Sequence, residues 1–562
     1  MRTPEKRLWS VARVAAAALG SLLLSGCQPE TQTPASRHSG DSLQPTRGYI
    51  VIALDALRAD HLGFYGYDPP TSPFLDSLAA RSAVVDWAIA PYPGTLVSNL
   101  SLFTGLYPPQ HGVYPPSGVL AGEIPTLPEL FLASGFRTAG HTEGGFMAGG
   151  YGFARGFEEF TDTAHAADAD IERTFERGLD FLRRLAGEDR FFLFLHTYSP
   201  HDPYDPPEPY RSELWPGEPP PGPAPVGPTL RAFNAGEVEL TAETLSYYRA
   251  LYDASIRYTD EVLASFFAEL EVLGLSGDTT IIITADHGEE LADHGRLGHT
   301  QLYPESLRVP FVIVHPELAS GLRIPGPVSS VDLAPTLVDL AGIPSPQKLA
   351  GASLRPLLEG DEEQTPRAVY AEVRDLETVR SLVSAEGGGL HQLLAYSPNS
   401  EPGGTWINRT VAFDAPAPRV RLEIQSFQEP RAIQVSVDGL ETDRLMAGTE
   451  WREFDIDLPR DRGVHRVELA TDDCESPASL GLSDDPRCLS FQIRETPLHR
   501  LELYDLLADP GAGRDLSRRE AELTRWMARR LQKLRWSPVA AAGDQTLSEE
   551  ARETLRALGY LD

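Results

Sequence analysis

The sequence predicts a doubly wound α/β protein with a small β-sandwich inserted near its C-terminus. Three observations predict it. Residues 48–55 (GYIVIALD), 191–196 (FFLFLH), 279–286 (TTIIITAD) and 310–315 (PFVIVH) are continuous apolar runs of strand length, the pattern of parallel strands buried on both faces. Helical stretches lie between them, and strands alternating with helices make a doubly wound sheet. After about residue 403 the pattern changes to period-two alternation with turn residues, which reads as antiparallel strands with one wet face.

The elements follow in order. The chain has 562 residues, more than one hydrophobic core usually holds, so at least two structural units are expected. Residues 1–26 read as an export signal: Arg2, Lys6, Arg7 and Arg13 precede and open an apolar stretch to Leu24 that is too short for a comfortable membrane span. It ends in Leu24-Ser25-Gly26-Cys27, which resembles a bacterial lipobox and implies lipidation of Cys27. Residue 28 is Gln rather than Asp, which favours the outer membrane, on its periplasmic or cell-surface face. Residues 27–47 are polar and rich in Pro, Ser and Thr, a flexible tether. Residues 48–403 form the main unit. Within it, 203–228 carry eleven prolines and are expected to be neither helix nor central strand but a rigid surface flap. Residues 246–272 show apolar spacing near 3.6 and stop at Gly274, a helix with a glycine end.

Residues 404–495 are the expected β-sandwich. Val420, Leu422 and Ile424 alternate with polar residues, as do Ile433, Val435 and Val437, then Phe454, Ile456 and Leu458, with Asp438-Gly439 as a turn. Cys474 and Cys488 fall inside it, and two cysteines in an exported chain suggest one disulfide. Residues 496–562 return to the main unit through LELYDL (501–506) and an amphipathic helix at 517–534.

Charge excludes some functions. There are 81 acidic against 49 basic residues, a formal net charge of −32, which argues against nucleic acid as a broad partner. Only Lys6, Lys348 and Lys533 are lysines, so positive charge between 7 and 347 comes from Arg and His alone.

Asp55 and Asp286 sit at strand ends, where sites form in doubly wound sheets. His287 follows Asp286, and Gly288 allows the backbone to turn so that both reach one cation. Oxygen ligands with one imidazole suit Mn²⁺, Zn²⁺ or Mg²⁺. Thr95 is placed to open a helix as its N-cap, and a helix N-terminus favours an anion.

Four blocks, LDALRADHLGFYGY (54–67), PGTLVSNLSLFTGLYPPQHGV (93–113), HTYSPHDPYDPPEPY (196–210) and TADHGEELADHGRLGH (284–299), with LYDLLADPG (503–511), resemble the sulfatase-like branch of the alkaline phosphatase superfamily. The resemblance covers about 48–400 and 497–535 and implies an alkaline phosphatase-like α/β/α sandwich. It also implies one divalent metal ion (Mn, Zn, Mg or Ca) and a hydrolase or transferase acting on phosphate or sulfate esters. By position it puts metal ligation on Asp55, Asp286, His287 and Thr95, the nucleophile on Thr95, substrate contact on His201 and a basic catalytic group on His299.

The chain departs from true sulfatases informatively. Those carry Cys or Ser at the nucleophile position and oxidise it to formylglycine; the extra methyl of Thr95 would leave a ketone. Ala56 replaces the second Asp of an Asp-Asp pair, Val97 a Pro, and Asn99 an Arg or His, so Asn99 is expected to contact substrate instead. The lysines that surround sulfate are absent. These losses favour a phosphate ester over a sulfate ester.

The expected reaction is in-line attack by Thr95 through a covalent intermediate. The competing readings are a sulfuric ester hydrolase proper and a catalytically inactive binding lipoprotein. The substrate is expected to be a small-molecule or polymer-borne ester, and the β-sandwich suggests carbohydrate or, equally, a packing module with no ligand. His61, His111 and His294 read as structural, Arg58 and Asp60 as a pair, and Glu289 and Glu290 as solvated acids opening a helix.

Overall fold

A computed structural model describes residues 42–544 and Leu555, apart from 117, 163–169, 319–320, 345–348, 362–366, 375–376, 386–388, 399–404, 408–409, 416–418, 460–464, 473, 475–489, 495–499, 518, 535–538 and 541–542. The signal segment, Cys27, most of the tether and Cys488 therefore lie outside the described residues.

The main sheet has eight strands: β1 (Gly48–Leu54), β2 (Ala83–Val85), β3 (Arg137–His141), β4 (Glu159–Thr161), β5 (Phe191–Thr197), β6 (Thr279–Ala285), β7 (Phe311–Val314) and β8 (Leu322–Ile324). Their order is β8-β2-β7-β6-β1-β5-β3-β4. β6, β1, β5, β3 and β4 run parallel, whereas β7 pairs antiparallel with β6 and β2. Every residue of β1, β5 and β6 is buried, as their unbroken apolar runs require. Leu54 pairs with Thr197 on one side and Ala285 on the other. Asp55 and Asp286 therefore leave the sheet at one level, on adjacent strands.

Three helices matter for the site. Helix α1 (Thr95–Thr104) is wholly buried and ends at Gly105, whose φ of +65° is a left-handed cap. Helix α2 (Ile171–Arg183) is capped by Asp170, which accepts from Glu172 N and Arg173 N. Helix α3 (Ala242–Val272) is capped by Thr241 and ends two residues before Gly274.

The proline-rich stretch corrects one expectation. A single helical turn, Tyr210–Leu214, forms inside it, and Gly227–Asn234 starts with a proline in its first turn. Proline is excluded from helix interiors, not from helix starts, where its missing N–H has no partner to lose.

The C-terminal region contains two four-stranded antiparallel sheets. One is formed by Thr405–Ile407, Phe491–Arg494, Arg419–Ser426 and Arg452–Asp457; the other by Thr410–Ala415, His465–Ala470, Arg431–Val437 and Leu440–Ala447. Between them lies a core that includes Phe413, Leu422, Ile424, Ile433, Val435, Ile456 and Val467. Asp438 and Gly439, at φ of +51° and +81°, close a two-residue hairpin of the kind that demands left-handed conformations. A further antiparallel sheet joins Ala368–Arg374, Glu377–Ser384, His391–Pro398 and Arg500–Asp505. The chain before and after the sandwich thus shares one sheet. Helix Ala521–Lys533 buries Met527, Ala528 and Leu531 against that sheet's core.

Candidate active site

Asp55 is the first residue beyond β1, and its N–H donates to Thr197 O at 3.0 Å. Ala56 follows in the left-handed region at φ +57°, a strained conformation for a residue with a Cβ. This turn aims Ala56 N at Asp286 Oδ1, 3.3 Å away. Asp286 leaves β6 beside it, and His287 N donates to the same Oδ1 at 2.9 Å. His287 Nδ1 donates to Gly288 O at 2.8 Å, which leaves Nε2 as the ring's acceptor. Gly288 is needed for close approach: a Cβ there would lie 1.9 Å from Glu305 O.

These groups converge. Asp55, Asp286 and His287 are fully buried and can each place a ligand atom within 4.8 Å of the others. His287 Nε2 lies 3.3 Å from Asp55 Oδ1 and 3.8 Å from Asp286 Oδ2. Thr95 Oγ1 donates to Asp55 Oδ2 at 3.1 Å and lies 3.3 Å from His287 Nε2. Among the described residues Asp55 Oδ1 is buried without a hydrogen-bond partner, a costly state unless something positive shares the space. Two carboxylates, one imidazole and one hydroxyl at these separations form a donor set that fits a divalent cation.

Thr95 is the first helical residue of α1, and Gly94, extended at φ −179°, is the N-cap. The expectation of a threonine N-cap is therefore corrected. One position further in, the hydroxyl is released from capping and turned to Asp55, while the helix start still points its positive end at the site.

Asn99, expected to touch substrate, is fully buried, and its Oδ1 has no hydrogen-bond partner among the described residues. Its Nδ2 donates to Asp286 Oδ2 at 2.8 Å and to Thr95 O at 3.0 Å, tying the carboxylate to the first turn of α1. Ser98 Oγ also donates to Asp286 O at 2.6 Å.

His201 and His299 face each other above this cluster. Each donates Nδ1–H to a carbonyl, His201 to Asp202 O at 2.6 Å and His299 to Pro93 O at 2.9 Å, and their Nε2 atoms lie 3.2 Å apart. Their proton affinities are split. Burial alone would lower His201, but the carboxylates of Asp202, Asp55 and Glu289 outweigh it and push it to about 9. Burial, reinforced by His287 and His201, holds His299 well below the usual imidazole range. The ring of His299 also lies 4.3 Å from that of His287.

Sequence reasoning missed His196. It is the penultimate residue of β5, pairs with Ala53, and is fully buried. Its Nε2 lies 3.4 Å from Asp55 Oδ2 and 3.9 Å from Asp286 Oδ2. A histidine closing an apolar strand beside a carboxylate-tipped strand was the available clue.

Glu289 and Glu290 are not solvated helix acids: both are buried, and Glu290 lies in a short strand. Glu289 Oε1 accepts from Tyr204 OH at 2.9 Å, and burial pushes its carboxyl up to about 8 despite the opposing charge of His201. The three histidines read as structural have partners of their own. His61 Nδ1 lies 2.7 Å from Asp253 Oδ1, His111 Nε2 lies 3.1 Å from Ser101 Oγ, and His294 stacks on Tyr303 beside Glu305. Arg58 pairs with Asp60 as expected, and also with Asp293.

The sequence profile of the family described as Sulfatase matches residues 47–343. The chain is similar to the ulvan-active sulfatase of Formosa agariphila: 25% identical over 379 residues, 62% of this chain and 71% of that protein. One solved structure, described as in complex with its substrate D-glucosamine-2-N,6-O-disulfate, matches with a TM-score of 0.54 at 17% identity, over 64% of this chain and 90% of that chain. The phosphonate monoester hydrolase of Agrobacterium radiobacter matches at 0.53 and 22% identity, over 62% and 89%. At these identities the two structures establish the shared fold.

Proposed function

Because the chain belongs to the sulfatase family and is a hydrolase acting on ester bonds, we propose that it cleaves a phosphate ester by nucleophilic attack from Thr95, with one divalent cation as cofactor. The observation that carries this reading is the Thr95 hydroxyl, held within 3.1 Å of Asp55 and 3.3 Å of His287 in a fully buried cluster. Asp55, Asp286, His287 and Thr95 would hold the cation. When bound, it supplies Lewis acidity that lowers the pKa of a coordinated hydroxyl and offsets charge on the transferred group.

The chain's own groups do the rest. Asp55 Oδ2 accepts the Thr95 hydroxyl proton and orients the oxygen for in-line attack. The first turn of α1 and His201 Nε2 face the equatorial oxygens of the transferred group. His299 Nε2 meets the leaving oxygen and hands it a proton relayed from His201 Nε2, 3.2 Å away, the ring whose proton affinity is raised. Water or an acceptor hydroxyl then releases the ester formed on Thr95. Phosphate is favoured over sulfate because threonine cannot yield formylglycine and no lysine lies between residues 7 and 347. The sulfate reading draws its support from relatives: one is named for its activity on ulvan, and another was solved with a disulfated glucosamine as its substrate. A carbohydrate-borne ester fits either reading.

We also propose that the protein is exported and lipid-anchored through Cys27 to a bacterial outer membrane, on its periplasmic or cell-surface face. Cys474 is proposed to pair with Cys488. Palmitate labelling that is lost in Cys27→Ala tests the anchor.

The central test assays aryl phosphodiesters, phosphomonoesters and sulfate esters with Mn²⁺, Mg²⁺, Ca²⁺ and Zn²⁺, beside Thr95→Ala. Phosphate-ester turnover that vanishes in the variant is expected. Unchanged turnover overturns the nucleophile, a preference for sulfate overturns the ester assignment, and failure to bind any divalent cation overturns the cofactor.

A further inference from the structure

Glu290 is a fully buried carboxylate that touches none of the reacting groups, yet it is saturated with hydrogen bonds. Its Oε1 accepts from Thr300 N at 2.7 Å, from Gln301 N and from Ser306 Oγ at 3.1 Å, and its Oε2 lies 3.3 Å from Thr300 Oγ1. Glu290 stands in a two-residue strand, Glu290–Leu291, paired antiparallel with Leu297–Gly298, and its register partner is Gly298. His299 is the next residue. Gly298, at φ +92°, turns the chain there as a residue with a side chain rarely can. His299 is therefore clamped on both flanks. The ladder ends immediately before it, and the Glu290 carboxylate grips the two amides immediately after it.

We propose that Glu290 is a positioning residue for His299, fixing the backbone from which its imidazole reaches the leaving group. The inference rests on the reading of His299 as the group that passes a proton to the leaving oxygen. The physical case is that burying a carboxylate is costly unless donors surround it. Charge-assisted bonds to backbone N–H groups are roughly twice as strong as neutral ones. The ring is pinned at its other end by Nδ1 on Pro93 O, two residues before Thr95. With both ends held, Nε2 stays at one distance from the nucleophile's helix, and a displacement of about 1 Å can cost about 100-fold in rate.

The experiment compares Glu290→Gln, His299→Gln and the double variant on two esters of the same transferred group, one releasing p-nitrophenolate and one an alkyl alcohol. A displaced proton donor harms only the leaving group that needs a proton. Glu290→Gln is expected to lower kcat on the alkyl ester by about 10- to 100-fold and on the nitrophenyl ester by no more than about threefold. His299→Gln should show the same selectivity, and the double variant should fall no further than His299→Gln alone. Equal losses on both esters, or losses that multiply in the double variant, overturn the proposal and leave Glu290 a structural residue. If His299→Gln itself lacks the selectivity, the proton-transfer reading fails, and that result stands apart from the behaviour of Glu290. Ser306→Ala removes one donor and should show the same selectivity at smaller size; equal rates to the parent on both esters count against the proposal.

Discussion

The carboxyl edge of the main sheet and the C-terminal sandwich use the same charged residues in opposite ways. At the sheet edge Asp55 and Asp286 are wholly buried, and their neighbours are other polar groups of the site. In the sandwich the interior is apolar, and the charges form an exposed ladder: Arg419 with Asp457 at 2.7 Å and Arg421 with Asp455 at 2.8 Å, their side chains between 35% and 78% exposed. Buried charge is expensive and must be held by specific partners. Exposed pairs are screened and contribute little. The comparison teaches that a carboxylate's role in this chain is set by where its strand ends.

The largest effect expected from breaking that contrast is catalytic. Thr95→Ala should lower kcat by more than about 10³-fold, whereas Thr95→Ser, which keeps the hydroxyl, should retain most activity. Chelation with EDTA should abolish turnover of the parent, and readdition of a divalent cation should restore it. Steady-state rates on a phosphate ester check all three.

Next is His196. Its Nε2 faces both buried carboxylates, and removal of such a supporting group typically weakens a metal site by about 10- to 100-fold. Titration calorimetry of the metal-free protein with Mn²⁺ should show that loss for His196→Ala, with partial rescue in His196→Gln.

A hydrophobic truncation should invert the pattern. Phe413 is fully buried in the sandwich core. Phe413→Ala should destabilise that region by about 3–5 kcal/mol, measured by urea unfolding. Metal affinity should not move.

Acid should distinguish the two regions further. His111, buried under α1, accepts Val113 N at Nδ1 at 3.2 Å, and burial lowers it from the ordinary imidazole value to about 3. The unfolded chain therefore binds a proton before the folded one does. The stabilisation from keeping this ring neutral is complete above about pH 6.5 and is lost as pH falls towards 3. The drop in Tm between pH 7 and 5 should be smaller in His111→Gln. The smallest effect belongs to Arg421→Ala on the exposed ladder, where Tm and kcat should both stay within measurement error.

Much of the site was legible because strand patterns are local. The runs ending at Asp55 and Asp286 named both carboxylates, and parallel pairing made them neighbours. What stayed hidden shares a physical cause, which is direction. Asn99 was found by position, but nothing in its neighbours shows that its amide turns to Asp286. Glu290 looked solvated because its donors, Thr300, Gln301 and Ser306, lie 10 to 16 residues downstream. His196 passed for the polar end of an apolar strand. The sandwich was read from alternation alone, since one wet face imposes a period of two.

One feature of the fold makes the molecule separable. The chain enters the sandwich from His391–Pro398 and re-emerges on Arg500–Asp505, and these strands pair antiparallel with Tyr396 opposite Arg500. Entry and exit are therefore ladder neighbours, about 5 Å apart. Excising the residues between and joining the stumps with a short turn converts a domain insertion into a plain hairpin. The result would be a compact enzyme with its whole catalytic edge intact, onto whose open hairpin another recognition module could be grafted.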